Sequence, residues 1–261
     1  MTWVIATGVP ICGYAVAISD IRVTIGEREK DCLQKIYPVG QFLAAGFAGA
    51  VQIGFEMIRS LQKGLKLEDR SLAWNPTVIA EEWPITARKI FQKYPDTTQQ
   101  HGCQLILLGA HPTEDVGIPG VGRPCIYSFS APGFEPVHAK PYEVMSIGSG
   151  SGVAPYRELL ERHLTDHKWR SMLMMGESMP GGMATMLASS VTAVLKRHPQ
   201  PGISPHLHLC IVRRGEVQIW PNDHSHSGRW EAYSLGPPDK NPNAQDPRDE
   251  QFHHASSSDN I

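Results

Sequence analysis

Residues 1 to 24 read Met1-Thr2-Trp3-Val4-Ile5-Ala6-Thr7-Gly8-Val9-Pro10-Ile11-Cys12-Gly13-Tyr14-Ala15-Val16-Ala17-Ile18-Ser19-Asp20-Ile21-Arg22-Val23-Thr24. Two apolar runs, one starting at Thr2 and the other ending at Asp20, flank a connection bounded by Gly8 and Gly13, which is the pattern of paired strands. Such a hairpin returns the chain to the level of its own N-terminus. Removal of Met1, which a small second residue permits, leaves a threonine carrying both a hydroxyl and a free α-amine. An α-amine ordinarily titrates at about 7.7–8.0, so near neutral pH it is partly unprotonated and can accept the hydroxyl proton. Nucleophile and base then sit on one residue.

An amine in that role needs its pKa lowered by a nearby cation, and the cation needs a carboxylate to hold it. Asp20, at the end of the second strand, and Lys35, in the alternating segment Leu33-Gln34-Lys35-Ile36-Tyr37, are the candidates. Alternation can turn one lysine inward between apolar neighbours. Lys30 lies in the charged run Glu27-Arg28-Glu29-Lys30-Asp31, which reads as a solvated loop.

These residues resemble the threonine-nucleophile Ntn hydrolases of the proteasome β-subunit and HslV type. Thr2 matches the nucleophile, Asp20, Arg22 and Thr24 the Asp-x-Arg-x-Thr motif, and Gln34-Lys35-Ile36 the lysine segment. Gly46-Phe47-Ala48-Gly49 matches the Gly-x-Ala-Gly turn, and Ile147-Gly148-Ser149-Gly150 the late Gly-Ser-Gly. The length and the polar tail look most like the bacterial proteasome homologues that form their own branch. The resemblance implies an α+β fold, a four-layer αββα sandwich. It implies catalytic roles for Thr2, Asp20, Lys35, Ser149 and, as oxyanion donor, Gly49. Val23, Thr24, Phe47 and Val51 would line the substrate site, with a preference for apolar side chains. Neither a metal nor a cofactor is expected.

The 261 residues, 41% hydrophobic, suffice for one large domain, expected over 1–235. A net charge of −2 gives no basic footprint for nucleic acid. The five cysteines are odd in number and lack Cys-x-x-Cys spacing, as in a reducing, cytoplasmic compartment. Residues 3 to 18 are apolar but have no basic region before them and are broken by Gly8, Pro10 and Gly13, so they do not read as a signal peptide. No window approaches 18 uninterrupted apolar residues, so no membrane span is expected. From Gly236 onward proline and polar residues dominate, and 236–261 is expected to be a disordered tail.

After the hairpin, the pattern predicts a third strand around Phe42 to Phe47. A helix follows with Val51, Phe55, Ile58 and Leu61 on one face, then a second helix over about Pro76 to Tyr94. Strands are expected at Gln104 to Gly109, Pro124 to Ser130, near Pro136 to Lys140 and at Val144 to Ile147. Helices over about Gly152 to His163 and Pro180 to His198 precede final strands His206 to Val212 and Glu216 to Trp220. Helix pairs alternating with strand groups fit two stacked sheets with helices outside.

Competing readings of the motifs are weaker. Gly148-Ser149-Gly150-Ser151-Gly152 follows a strand, but Val153 stands where a dinucleotide fingerprint needs its third glycine, and neither serine sits in a Gly-x-Ser-x-Gly elbow. His206-Leu207-His208 and His224-Ser225-His226 lack a carboxylate or cysteine to complete a metal set and read as solvent- or interface-facing pairs. One departure from the family stands out. Where it places an Asp after the last helix, this chain reads Lys196-Arg197-His198-Pro199-Gln200-Pro201-Gly202, with His198 as the possible stand-in. The expected function is therefore a peptidase acting on unfolded protein inside a homo-oligomeric ring or double ring, with an ATP-dependent unfoldase as the family's usual partner. A ring cage with little activity and an amidase acting on a small amide remain as alternatives.

Overall fold

The computed structural model describes residues 3–25, 28–69, 72–158, 182–222 and 233–234. Thr2 and the 236–261 tail, like His224 and His226, lie outside the described residues, and so do the last five residues of the helix expected from Gly152 to His163. The fold is mixed α/β with antiparallel sheets. Strands β1 (Trp3–Val9) and β2 (Tyr14–Asp20) form the expected hairpin, joined by a 3-10 turn at Pro10–Cys12 and by Gly13 at φ 66°. That hairpin sits inside a six-stranded sheet of order β10-β1-β2-β11-β12-β13, with β10 at Val144–Gly148, β11 at Leu207–Arg213, β12 at Glu216–Asn222 and β13 at Tyr233–Ser234. A five-stranded sheet runs β5 (Ile36–Gly40), β6 (Leu43–Gly49), β7 (Cys103–Asp115), β8 (Gly122–Ser130) and β9 (Val137–His138).

Alternation along the strands sorts side chains into three buried clusters, because successive residues point to opposite faces. Val4, Ala6, Ala15 and Ala17 from the first hairpin meet Ile36, Ala44, Ala48, Ile106 and Leu108 between the two sheets. Alanines at 6, 15, 17, 44, 48 and 139 are interspersed there among branched side chains, which lets the sheets approach. Trp3, Ile5, Val16 and Ile18 face the other way and pack with Val191, Val194 and Leu195 of helix α4 (Gly182–Arg197). On the far side of the five-stranded sheet, Leu43, Ala45, Phe47, Leu105 and Leu107 pack under helices α1 (Val51–Gly64) and α2 (Pro76–Gln92). A four-residue helix, α3, spans Asp96–Gln99. No helix among the described residues is long and apolar enough to cross a membrane.

Three local expectations change. The run Glu27 to Asp31 is not a bare loop: Arg28–Asp31 forms β4, paired with β3 (Arg22–Ile25) in a two-stranded ribbon. Cross-strand charge pairing explains it, since Arg22 bonds both Glu29 and Asp31. Strand β7 continues past Gly109 to Asp115, because Arg214 donates to the carbonyls of His111 and Glu114 and so satisfies backbone that would otherwise end there. Ser149–Gly152 is a 3-10 turn, and helix begins at residue 154.

Close packing of α1 on β6 has a sharp test. Gly54 lies against the buried Phe47 ring, and a methyl at Gly54 would stand 2.2 Å from it. Alanine normally stabilises a helix over glycine by roughly 0.5–1 kcal/mol. Here Gly54→Ala is expected to destabilise by roughly 1–3 kcal/mol through overpacking. Urea denaturation reads the sign, and Phe47→Leu added to Gly54→Ala should recover part of the loss.

Candidate active site

Trp3 is the first described residue and is held on several sides. Its register partner on β10 is Gly148, and its N–H donates to Asp20 Oδ1 at 2.7 Å. The indole stacks on Tyr156 with ring centroids 4.7 Å apart, and its Nε1–H donates to Ser146 Oγ at 2.8 Å. Gly150 lies flush against the indole, where a Cβ would come within 2.4 Å. The start of β1 is thus fixed in position and register, one residue after Thr2.

Asp20 and Lys35 meet at 2.8 Å, both with fully buried side chains. Burying two charges is costly unless they pair and their remaining hydrogen-bonding capacity is filled. Asp20 meets that condition: Oδ1 accepts from Lys35 Nζ and Trp3 N–H, and Oδ2 from the N–H groups of Arg22 at 3.0 Å and Ser204 at 3.4 Å. Burial pushes the Lys35 ammonium below the usual lysine range, and Asp20 opposes that shift. A lysine so placed is a buried cation whose proton affinity is set by its surroundings.

Gly49 closes β6 at φ 102°, a conformation that glycine adopts without strain. A Cβ there would also strike Gly102 O at 2.4 Å. The next residue, Ala50, donates its N–H to that carbonyl at 2.9 Å and serves as the N-cap of α1. The first turn of α1 carries no acidic side chain, leaving the positive end of the helix dipole uncompensated by the helix itself. Gly49 is exposed, as an oxyanion donor must be.

Ser149 follows Gly148, which has φ 86° and donates its N–H to Gln104 Oε1 at 2.7 Å. Gln104 belongs to the other sheet, so this bond ties β7 to the β10 end at the site. Ser149 itself is exposed.

The residues expected to line a substrate pocket divide in two. Phe47 is only 1% exposed and sits among Phe55, at 5.2 Å between ring centroids, Leu33 and Tyr37, so it can serve only as a floor. Val23 and Val51 are half-buried and pack against the same cluster, as a rim would. Thr24 is exposed on the ribbon.

Sequence reasoning missed four residues. Asp31 and Ser204 join the Asp20 network, and Gln104 links the sheets. His208 is the fourth. Rather than facing solvent, it is opposite Ser19 in register and on the inter-sheet face with Cys210 and Val212. His206 is exposed, in line with the sequence reading. The signal available for His208 was the alternation of Leu207, Leu209 and Ile211, which gives the opposite face to the histidine. Among the described residues, no group of three or more His, Cys, Asp or Glu side chains could hold a metal ion.

With this geometry in place, comparison with known proteins adds no relative: no protein family matches the chain and no curated protein matches it.

Two measurements follow. Asp20→Asn or Lys35→Met leaves its partner buried and uncompensated, which should cost about 3–5 kcal/mol of stability in urea denaturation. Burial, with Lys35 adding to it, pushes His208 down to about 4 from an ordinary 6.5. Between those values the unfolded chain binds the proton and the folded chain does not, so His208 makes stability fall as pH drops from 6.5 to about 4. The loss should approach roughly 2–3 kcal/mol. His208→Gln is expected to lose correspondingly less stability than wild type on acidification; equal losses would refute the assignment.

Proposed function

We propose that the chain is an N-terminal-threonine peptidase of the proteasome β-subunit and HslV type, with the four-layer αββα sandwich of Ntn hydrolases. The observation that carries this reading is the buried Asp20–Lys35 pair bonded to the N–H of Trp3, the residue directly after Thr2. A buried cation held beside the start of the chain is what an α-amine base requires, because a neighbouring positive charge lowers its pKa. The three buried clusters, with helices outside and small residues between the sheets, support the layered reading.

In this mechanism Met1 is removed and the α-amine of Thr2 accepts the proton of its own hydroxyl as Oγ attacks a peptide carbonyl. The C–O bond forms and the carbonyl electrons move onto oxygen, where the Gly49 N–H stabilises the charge. The tetrahedral centre collapses, the peptide C–N bond breaks, and the amine delivers the proton to the leaving nitrogen. Water activated by the same amine then hydrolyses the ester. Lys35 and Asp20 set the amine's charge state, Ser149 assists proton transfer, and Val23, Val51 and Thr24 over the Phe47 floor contact substrate. Assembly into a ring or double ring that admits unfolded protein, fed by an ATP-dependent unfoldase, belongs to the same proposal, as does a cytoplasmic location.

A second reading, a ring cage with little peptidase activity, draws on residues 198–202. No carboxylate occurs there, and His198 is exposed with its carbonyl accepting from Tyr156 Oη at 2.6 Å. The deciding experiment is the intact mass before and after incubation with a peptide epoxyketone, which needs both the threonine hydroxyl and its free amine. Loss of Met1 with one adduct per chain is expected, and Thr2→Ala should form none and should not cleave fluorogenic peptides or casein. Retention of Met1 would sink the mechanism. An active protein whose native mass is that of a monomer or dimer would instead point to an amidase for small amides.

A further inference from the structure

Asp20 is linked to a second carboxylate. Its Oδ2 accepts from the backbone N–H of Arg22 and of Ser204, and the side chains of those same residues converge on Asp31. The Arg22 guanidinium grips Asp31 with Nε to Oδ1 at 2.7 Å and Nη2 to Oδ2 at 3.1 Å. Ser204 Oγ donates to Asp31 Oδ2 at 2.7 Å. His206 N–H donates to Ser204 Oγ at 3.0 Å, which leaves the hydroxyl proton for Asp31. Ser204 is fully buried. A closed ring of bonds therefore runs from Asp20 through Arg22, Asp31 and Ser204 back to Asp20, and it joins the end of β2, the β3–β4 ribbon and the segment after α4.

We infer that Arg22, Asp31 and Ser204 are positioning residues for the Asp20–Lys35 pair. The effect on turnover rests on the peptidase reading; the positioning itself does not. Two backbone donors at Oδ2 fix the carboxylate plane, so that Oδ1 faces Lys35 Nζ and Trp3 N–H. Hydrogen bonds linked in a ring also polarise one another, which stiffens the arrangement beyond what each bond gives alone. The paired charges of Arg22 and Asp31 matter for Lys35 too: Asp31 favours its protonated form and Arg22 disfavours it. Bound together, they present Lys35 with a nearly balanced pair. Among the described residues, the other charged or titratable groups around Lys35 are Asp20 on β2, Cys32 just after β4 and His208 on β11.

The test uses the full chain with ¹³Cε-labelled lysine and follows the Lys35 signal through a pH titration. Asp31→Asn is expected to lower the Lys35 midpoint and Arg22→Gln to raise it, because each leaves the opposite charge unbalanced. A merely structural role would move both the same way or neither, and either result overturns the proposal. Ser204→Ala, which cuts the ring without changing charge, should lower kcat on a fluorogenic peptide about five- to tenfold with KM unchanged, as the loss of one buried hydrogen bond implies, and Ser204→Thr should restore it. Unchanged kcat in an active Ser204→Ala enzyme also overturns it. Should Asp31→Asn fail to fold, Asp31→Glu keeps the charge and must leave the Lys35 midpoint in place while lowering kcat; a shifted midpoint counts against the proposal. Opposite midpoint shifts in a protein that cleaves no peptide would uphold the positioning role and defeat the peptidase reading, so the two failures are told apart.

Discussion

One fully buried ion pair constrains everything around it. Asp20 and Lys35 tolerate removal from water because the carboxylate receives four donors, three of them backbone N–H groups whose positions depend on the fold. Trp3 must be in register with Gly148 to supply one, and the turn after β2 must place Arg22 for another. Ser204 must arrive from the far end of the sequence. Such a pair contributes little net stability, since desolvation offsets most of the attraction, but any packing that displaces one donor leaves charge unsatisfied. The pair therefore selects one arrangement of strands among those a hydrophobic pattern alone would allow.

The two ends of the stacked sheets solve different problems. At the end bearing Asp20 and Lys35, positive-φ glycines at 49 and 148 bring backbone close to the pair's surroundings and leave Gly49 open to solvent. At the opposite end Arg214, in the turn between β11 and β12, donates to the carbonyls of His111 and Glu114 and to Asp115 at 2.6 Å. There Gly13 is pressed against Val121 of the long β7–β8 hairpin. One end is stitched shut across both sheets and the other carries exposed backbone and a buried charge, an asymmetry suited to a site at one mouth only.

Much of the strand and helix order was legible because the strands between the sheets alternate cleanly and α1 and α2 carry apolar faces at helical spacing. Asp20 and Lys35 could be singled out from a hairpin that returns to its start and from one lysine among apolar neighbours. The ribbon of β3 and β4 was not legible, because its stability lies in cross-strand charge pairs and a run of alternating charges reads equally as a solvated loop. Ser204 gave no signal at all: it lies 184 residues from Asp20, and its contact depends on the pairing of β2 with β11. Phe47 was placed by motif in a substrate pocket, whereas its burial beneath Gly54 depends on how tightly α1 settles on β6.

The chain's first hairpin ends up in the middle of its sheet, between β10 and β11. During synthesis β1 and β2 emerge first, yet their neighbours are encoded only at residues 144–148 and 207–213. Pairings this distant in sequence form slowly: the β1 edge stays open until residue 148 has been made, and the β2 edge until nearly the whole domain has left the ribosome. The fourth donor to Asp20 arrives in the same late stretch. Translation order thus delays completion of the Asp20 network until residues 204–213 have been made.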